Sequence, residues 1–144
     1  MKVLLIHGPN LNMLGKRDPA IYGERTLEDV NTFVASYFKK VELEFFQSNV
    51  EGEIINKIHE ADGVFSGIVI NAGAFTHYSY AIRDAIDAVS VPVVEVHISN
   101  IAAREEFRHK SVIAPVVMGS IAGLGVYGYV LAVQAIAHHG KRKK

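Results

Sequence analysis

The sequence contains no cysteine among its 144 residues. Disulfide bonds, thiolate nucleophiles and cysteine-ligated metal centres are therefore excluded. The sequence also has no excess of charge of either sign, since 15 Lys and Arg residues balance 15 Asp and Glu residues. A balanced chain has no overall attraction for nucleic acid or for an anionic membrane surface. We therefore expect that it binds neither.

Long hydrophobic runs are missing as well. The first apolar run, Val3 to Ile6, is too short for a membrane span or a signal peptide, so we expect a cytoplasmic protein. No two histidines have the spacing of a zinc-binding helix, and we expect no metal site. The basic tail, residues 140–144, is typical of a solvated chain end.

Five apolar, β-branched segments alternate with segments of helical periodicity. The five are KVLLIHG, VELEFFQSN, GIVINAG, VPVVEVHISN and SVIAPVVMGS, and no linker or repeat separates them. Strictly alternating strands and helices predict an α/β fold with a parallel sheet. The expected architecture is a single domain, residues 1–144, with a flavodoxin-like, doubly wound, five-stranded parallel sheet flanked by helices.

The expected helices carry recognisable signals. Thr26 is expected to cap the first helix, and Ser48 with Glu51 has the spacing of a capping box for the second. The last helix, about residues 124–137, has Gln134 as its only strongly polar side chain. A helix that is apolar nearly all round needs cover on both sides, so this one predicts contact with another subunit.

The stretch GLGVYG, Gly123 to Gly128, matches the G-x-G-x-x-G pattern of dinucleotide-binding folds. That pattern needs a following strand with an acidic residue about 20 positions on. Only 16 residues follow Gly128, and none is Asp or Glu. We therefore interpret the glycines as a tight turn with close helix–strand or subunit packing, and expect no nucleotide cofactor.

Polar residues collect where the expected strands end, which is where such sheets bind ligands. Residues 8–25, here termed the lid segment, have no clear periodicity and contain Asn10, Arg17 and Tyr22. Such long gaps are often functional lids. Glu95 and His97 lie two apart on one strand and so share a face. A carboxylate and an imidazole on an apolar strand are costly unless they are paired or used.

These groups suit removal of a proton at one carbon and protonation of a leaving group at the next, which eliminates water. No nucleophile-elbow or Walker A motif is present. No lysine lies at an apolar strand end either, so a Schiff-base route is not expected.

The sequence resembles type II 3-dehydroquinate dehydratases in five segments that run in order through nearly the whole chain. They are GPNLNMLGKRDPAIYG, QSNVEGEIINKIHEA, NAGAFTHYSYAIRDA, VEVHISNIAAREEFRHKSVIAP and GLGVYGY. The resemblance implies reversible conversion of 3-dehydroquinate to 3-dehydroshikimate and water, through an enolate, in the shikimate pathway or in quinate breakdown. It implies no cofactor, and a homo-oligomer that is a dodecamer built from trimers.

The resemblance also implies roles for individual residues. Tyr22 is the base, and Arg17 favours its deprotonated form. A bound water near Asn10 helps to stabilise the enolate, and His97, oriented by Glu95, protonates the departing hydroxyl. We expect Arg108 to support Tyr22 as a second cation. The positions that match the substrate-binding residues of the family are Asn71, His77, Ile98, Ser99 and Arg108. Asp84 matches a residue that typically reaches the site from a neighbouring subunit.

Two other classes stay open from the residues alone. One is a non-catalytic, flavodoxin-like module that binds a small molecule or phosphate. Such a module would favour a glycine-rich turn after the first strand, where this chain has the lid segment. The other is an inactive relative that is kept for assembly. Loss of Tyr22, Arg17 or His97 would have indicated this class, and all three residues are present.

Overall fold

A computed structural model describes residues 1–142, and Lys143 and Lys144 of the basic tail lie outside the described residues. Within residues 1–142, five strands form one parallel sheet in the order β2-β1-β3-β4-β5. The strands are β1 (Lys2–His7), β2 (Glu42–Gln47), β3 (Gly67–Asn71), β4 (Val93–His97) and β5 (Gly119–Ala122). The α-helices are α1 (Pro19–Tyr22), α2 (Leu27–Ala35), α3 (Glu51–Ala61), α4 (Tyr80–Asp87) and α5 (Tyr127–Arg142).

Helices cover both faces of the sheet, because successive strand residues point to opposite sides. Val3 and Leu5 of β1 belong to a core with α2 and α5. Leu4 and Ile6 belong to a second core with α3 and α4. Two helical layers and this strand order are those of the flavodoxin-like fold, so the predicted fold class is confirmed. The order reverses between β1 and β3, and ligands bind at such a switch point in doubly wound sheets.

The fifth strand was predicted in the wrong place. The segment 111–120 is apolar, and Val112 and Ile113 are indeed buried. However, the chain turns through a short 3-10 helix at Ala114–Val116, and β5 begins only at Gly119. Pro115 has no N–H for a strand ladder, so the segment fills the core without pairing.

The predicted capping box of the second helix is also wrong. Helix α3 begins after Val50, and no side chain caps it. The Ser48 hydroxyl accepts from the Val50 N–H and donates to Glu53, while Glu51 accepts from Ser79 at 2.7 Å. The prediction for α2 is confirmed, because Thr26 caps it in a capping box with Asp29.

The glycine-rich stretch forms the turn from β5 into α5. Gly123 and Gly125 have φ values of +86° and +61°, which favour glycine. A Cβ at Gly128 would contact Ile121 and Val96 at 3.4 and 3.5 Å, so the helix sits close to the sheet. This agrees with the predicted turn and helix–strand packing.

Helix α5 starts three residues later and ends later than predicted, and it includes the beginning of the basic tail. Its buried side chains Tyr129, Val130, Val133 and Ile136 pack on its own sheet. The lid segment also differs from the expected irregular chain, since it contains a 3-10 turn at Leu11–Met13 and helix α1. Within residues 1–142, no helix has both the length and the hydrophobicity to cross a membrane.

His7 ends β1 as a buried imidazole. Its Nε2 lies 2.9 Å from Asn31 Oδ1, and Nδ1 has no hydrogen-bond partner among the described residues. Burial lowers the pKa of His7 to about 4, although the hydrogen bond with Asn31 opposes this shift. The native protein therefore holds His7 neutral.

This burial makes stability sensitive to acid. The unfolded chain binds a proton at His7 below its ordinary pKa of 6.5, whereas the native chain binds it only below about 4. The free energy of unfolding should therefore fall as the pH drops from 6.5 towards 4, by up to about 3 kcal/mol from this group. Urea unfolding of wild type and His7→Gln across this range measures the effect, since other groups cancel in the difference. Parallel curves would contradict it.

Candidate active site

A pocket lies beyond the carboxyl ends of β1, β3 and β4, next to the switch point of the sheet. Residues from the lid segment form one wall, and residues that follow β3 and β4 form the others. The polar and charged side chains among its lining residues are Asn10, Arg17, Tyr22, Asn71, His77, His97, Ser99, Arg104 and Arg108. Parallel strands end at the same edge of the sheet, which is why positions far apart in the sequence meet here.

Two guanidinium groups converge on the Tyr22 hydroxyl. Arg17 Nη2 donates to the phenol oxygen at 3.1 Å, and Arg104 Nη1 donates to it at 2.7 Å. The Cζ atoms of both arginines also lie over the tyrosine ring, at 4.4 and 5.4 Å from its centroid. Hydrogen bonds from charged donors are stronger when the oxygen that accepts them carries negative charge. The arrangement therefore suits Tyr22 to act as a base.

The second cation at Tyr22 is Arg104, and not Arg108 as the sequence led us to expect. Arg108 lines the pocket, but its Nε contacts Glu105 at 3.1 Å. Each of the two arginines follows or ends a separate short 3-10 helix, at Ile101–Ala103 and Glu106–Arg108. Both stand in the segment REEFRHK, so the sequence signal for Arg104 was present, but irregular backbone gave no means of choosing between them.

Glu95 and His97 lie side by side at the end of β4, as their spacing predicted. His97 Nε2 is 3.2 Å from Glu95 Oε2, although the N–H is not in regular hydrogen-bond geometry. Glu95 lies behind His97 and is not among the lining residues of the pocket in the described part of the chain. Because Nε2 faces Glu95, Nδ1 is the nitrogen left for a ligand.

Three hydroxyls, here termed the hydroxyl cluster, surround Glu95: Thr76, Ser111 and Ser120. They donate to its carboxylate at 2.5, 2.6 and 2.8 Å. Burial raises the pKa of Glu95, but the contact with His97 and the hydrogen bonds from Ser111 and Thr76 outweigh burial and lower it to about 2. Glu95 is therefore an anion at neutral pH, and its negative charge lies next to the His97 ring.

Asn71 and His77 line the wall that follows β3. The Asn71 side chain donates through Nδ2 to Tyr129 at 2.8 Å and accepts at Oδ1 from the Gly73 N–H at 3.1 Å. His77 Nδ1 lies 2.8 Å from the Lys110 carbonyl, and its ring stacks 6.4 Å from that of His97. Burial lowers the pKa of His77, despite the hydrogen bond with Lys110. A neutral His77 therefore offers hydrogen bonds, and no charge, to a ligand.

Asn10 lies where β1 passes into the lid segment. Its φ of +68° is in the left-handed region, which asparagine tolerates better than most residues. The Asn49 side chain accepts the Asn10 N–H at 3.0 Å and so fixes this conformation. Ile98 and Ser99, which follow His97, also line the pocket.

Asp84 lies elsewhere. It is exposed on α4, and it is not among the residues that line the pocket within the described part of the chain. The structure thus brings together in one pocket all of the predicted site residues except Glu95, which contacts His97 from behind, and Asp84. Arg104 and Tyr129 are the contacts that sequence reasoning missed. Among residues 1–142, no group of three His, Asp or Glu side chains is arranged to hold a metal ion.

Comparison with known proteins gives a consistent result. The family model described as dehydroquinase class II matches residues 1–137. The 3-dehydroquinate dehydratase of Thermotoga maritima is 60% identical over 138 residues, which are 94% of this chain and 94% of that protein. The Bacillus pumilus 3-dehydroquinate dehydratase is 55% identical over 139 residues, 95% of each chain. The crystal structure of type II dehydroquinase from Butyrivibrio crossotus superposes with a TM-score of 0.93 at 52% identity, covering 95% of this chain and 97% of that one.

Proposed function

Since the chain belongs to the class II dehydroquinase family and is a hydro-lyase that removes water from 3-dehydroquinate, we propose a role in this reaction for each residue of the pocket. The observation that carries the proposal is the Tyr22 oxygen held between two guanidinium groups, in the pocket that also contains His97. Such a pocket offers a base and an acid to neighbouring carbons of one substrate.

The first step is proton abstraction. Deprotonated Tyr22 takes the proton from the carbon next to the substrate ketone, and the electrons of that C–H bond form an enolate. Arg17 and Arg104 stabilise the tyrosinate through the two hydrogen bonds that they donate to its oxygen. A water held near Asn10 stabilises the negative charge that develops on the enolate oxygen. Donors placed in advance around developing charge contribute much of the catalysis in such sites.

The second step is loss of the hydroxyl. His97 donates a proton to the departing oxygen, the C–O bond breaks, and the enolate electrons form the conjugated double bond. The products are 3-dehydroshikimate and water. The Glu95 carboxylate orients the His97 ring for this transfer, since its Oε2 lies 3.2 Å from Nε2. Tyr22 then carries the substrate proton and His97 is neutral, so a proton passes between them through solvent before the next turnover.

The remaining lining residues hold the substrate in place. Arg108 keeps its two Nη groups for the substrate carboxylate, because its contact with Glu105 uses Nε. The hydroxyl groups of the substrate ring are contacted by Asn71, His77, Ile98 and Ser99. We assign these roles from the position of each residue around the pocket.

Substitution of Arg104 and substitution of Arg108 should therefore have different effects on kcat and KM. Arg104→Ala should lower kcat at pH 7 by about 10²-fold, since a donor to the developing charge is lost. Arg108→Ala should raise KM by about tenfold or more, since a charged hydrogen bond to substrate is lost, with a smaller change in kcat. Steady-state kinetics at pH 7 separate the effect on kcat from the effect on KM. The same kinetic pattern in both variants would contradict the assignment.

The activity is tested by mixing the purified protein with 3-dehydroquinate, without added metal or nucleotide, and following the ultraviolet absorbance of the conjugated product. An increase in absorbance supports the proposed reaction. A flat trace from well-folded protein would instead favour the non-catalytic binding module.

We also propose a homo-oligomer, a dodecamer built from trimers, that works in the cytoplasm as one domain per chain. Exposed aromatic side chains near the pocket support assembly: Tyr78, Tyr80 and Phe107 are 58%, 67% and 62% exposed. Asp84 lies one helical turn from Tyr80 on α4, so assembly through this face would carry Asp84 to a neighbour's pocket. Analytical ultracentrifugation of the purified protein measures the subunit number.

A further inference from the structure

Tyr129 lies outside the pocket, yet its hydroxyl contacts a residue that lines it. The ring is only 1% exposed, on the face of α5 that packs on the sheet. Its oxygen accepts a hydrogen bond of 2.8 Å from Asn71 Nδ2. The proposed roles of the pocket residues leave this buried contact unused.

The hydrogen bonds of the Asn71 amide leave one group free. An asparagine side chain has one carbonyl oxygen and two N–H donors. The oxygen accepts from the Gly73 N–H, and one N–H donates to Tyr129. If the amide were turned over, its NH₂ group would face the Gly73 N–H, donor against donor. The second Nδ2–H is therefore the donor that remains for a ligand in the pocket.

The surroundings of Tyr129 hold its oxygen in place. The His7 ring packs edge-on against the tyrosine ring, with centroids 5.3 Å apart. His7 is also the neighbour of Asn71 in the register of β1 and β3. Burial raises the pKa of Tyr129 above its ordinary value, so the hydroxyl stays neutral. A change at position 129 therefore reaches the pocket through Asn71.

On the basis of the proposed function, we propose that Tyr129 is a positioning residue for substrate binding, which holds the Asn71 amide so that its free N–H meets a hydroxyl of the substrate. Tyr129→Phe removes the acceptor and leaves a buried N–H without a partner. The amide then rotates towards other acceptors, and KM should rise about tenfold, while kcat changes less than about threefold because Tyr22 and His97 are untouched. Tyr127→Phe, a 42% exposed position on the same helix, is the matched control.

A double-mutant cycle separates positioning from general loss of packing. If Tyr129 acts through Asn71, Tyr129→Phe should change kcat/KM less than about twofold in an Asn71→Ala background. An equal loss in both backgrounds would overturn the proposal, and so would a wild-type KM in the single Tyr129→Phe variant.

A measurement on the wild-type protein covers the case in which Tyr129→Phe does not fold. In ¹⁵N-asparagine-labelled protein, with the signals assigned through Asn71→Ala, one Nδ2 proton of Asn71 should shift on addition of 3-dehydroquinate and the other should not. Shifts of both protons, or of neither, would overturn the proposal. This experiment detects the contact between the Asn71 amide and the ligand whether or not turnover occurs. Failure of the proposed reaction would be detected separately, by the absorbance assay.

Discussion

Tyr22→Phe should nearly abolish dehydration, lowering kcat by about 10³-fold or more, the upper part of the range that general base catalysis contributes. The substitution removes one oxygen and keeps the ring. The contacts of Arg17 and Arg104 with the ring face can therefore persist, and the lid segment should keep its structure. The variant should still bind 3-dehydroquinate, because the residues assigned to binding are unchanged.

Stopped-flow or steady-state absorbance measures the loss, and isothermal titration measures the retained binding. Tyr37→Phe is the matched control, since this tyrosine is 49% exposed after the end of α2 and does not line the pocket, and its activity should equal that of wild type. A Tyr22→Phe variant that retains a tenth or more of the wild-type kcat would rule out Tyr22 as the base.

His97→Ala should lower the rate of dehydration by about 10²- to 10⁴-fold, the range expected when a general acid is lost. The reason differs from that for Tyr22, because in the proposed mechanism only the second step uses His97. Proton abstraction by Tyr22 should continue, so the variant should form the enolate and return it to substrate. In D₂O, the hydrogen next to the ketone should therefore exchange for deuterium without the appearance of product.

Proton NMR of the substrate during incubation follows this exchange. His59→Ala, an exposed position on α3, is the control for a histidine outside the pocket. Tyr22→Phe should show neither exchange nor product, so the pair of variants assigns base and acid independently. Exchange that is lost in His97→Ala and kept in Tyr22→Phe would reverse the two roles.

Much of the fold could be predicted because the strands and most of the helices have local signals. The β-branched segments of β1, β3 and β4 are buried on both faces, and Thr26 caps α2 as its sequence indicates. The exception is β5, because the hydrophobicity of a segment indicates that it is buried and does not indicate that it pairs with a neighbouring strand. Val112 and Ile113 are buried before β5 begins, while three of the four residues of β5 are exposed and only Ile121 is a large apolar side chain.

The part of the site that could be predicted from sequence patterns consists of residues at strand ends and of residues two apart on one strand. Glu95 and His97 adjoin because alternate residues of a strand share a face. Arg104 and Tyr129 were missed for a different reason. Arg104 contacts Tyr22 across 82 positions of the chain, and Tyr129 contacts Asn71 across 58. Contacts at such separations produce no periodic pattern in the sequence. The hydroxyl cluster around Glu95 was missed for the same reason, because its three members come from separate segments of the chain.

The hydrogen bond between Tyr22 and Arg104 has a consequence for how activity arises during folding. Its two ends are separated in the chain by β2, β3 and β4, so closing this contact costs the entropy of ordering most of the sheet first. A fragment that ended before β4 could hold the tyrosine and Arg17 but neither Arg104 nor His97. The pair of guanidinium groups at Tyr22 therefore depends on a long-range contact that the assembled strands provide.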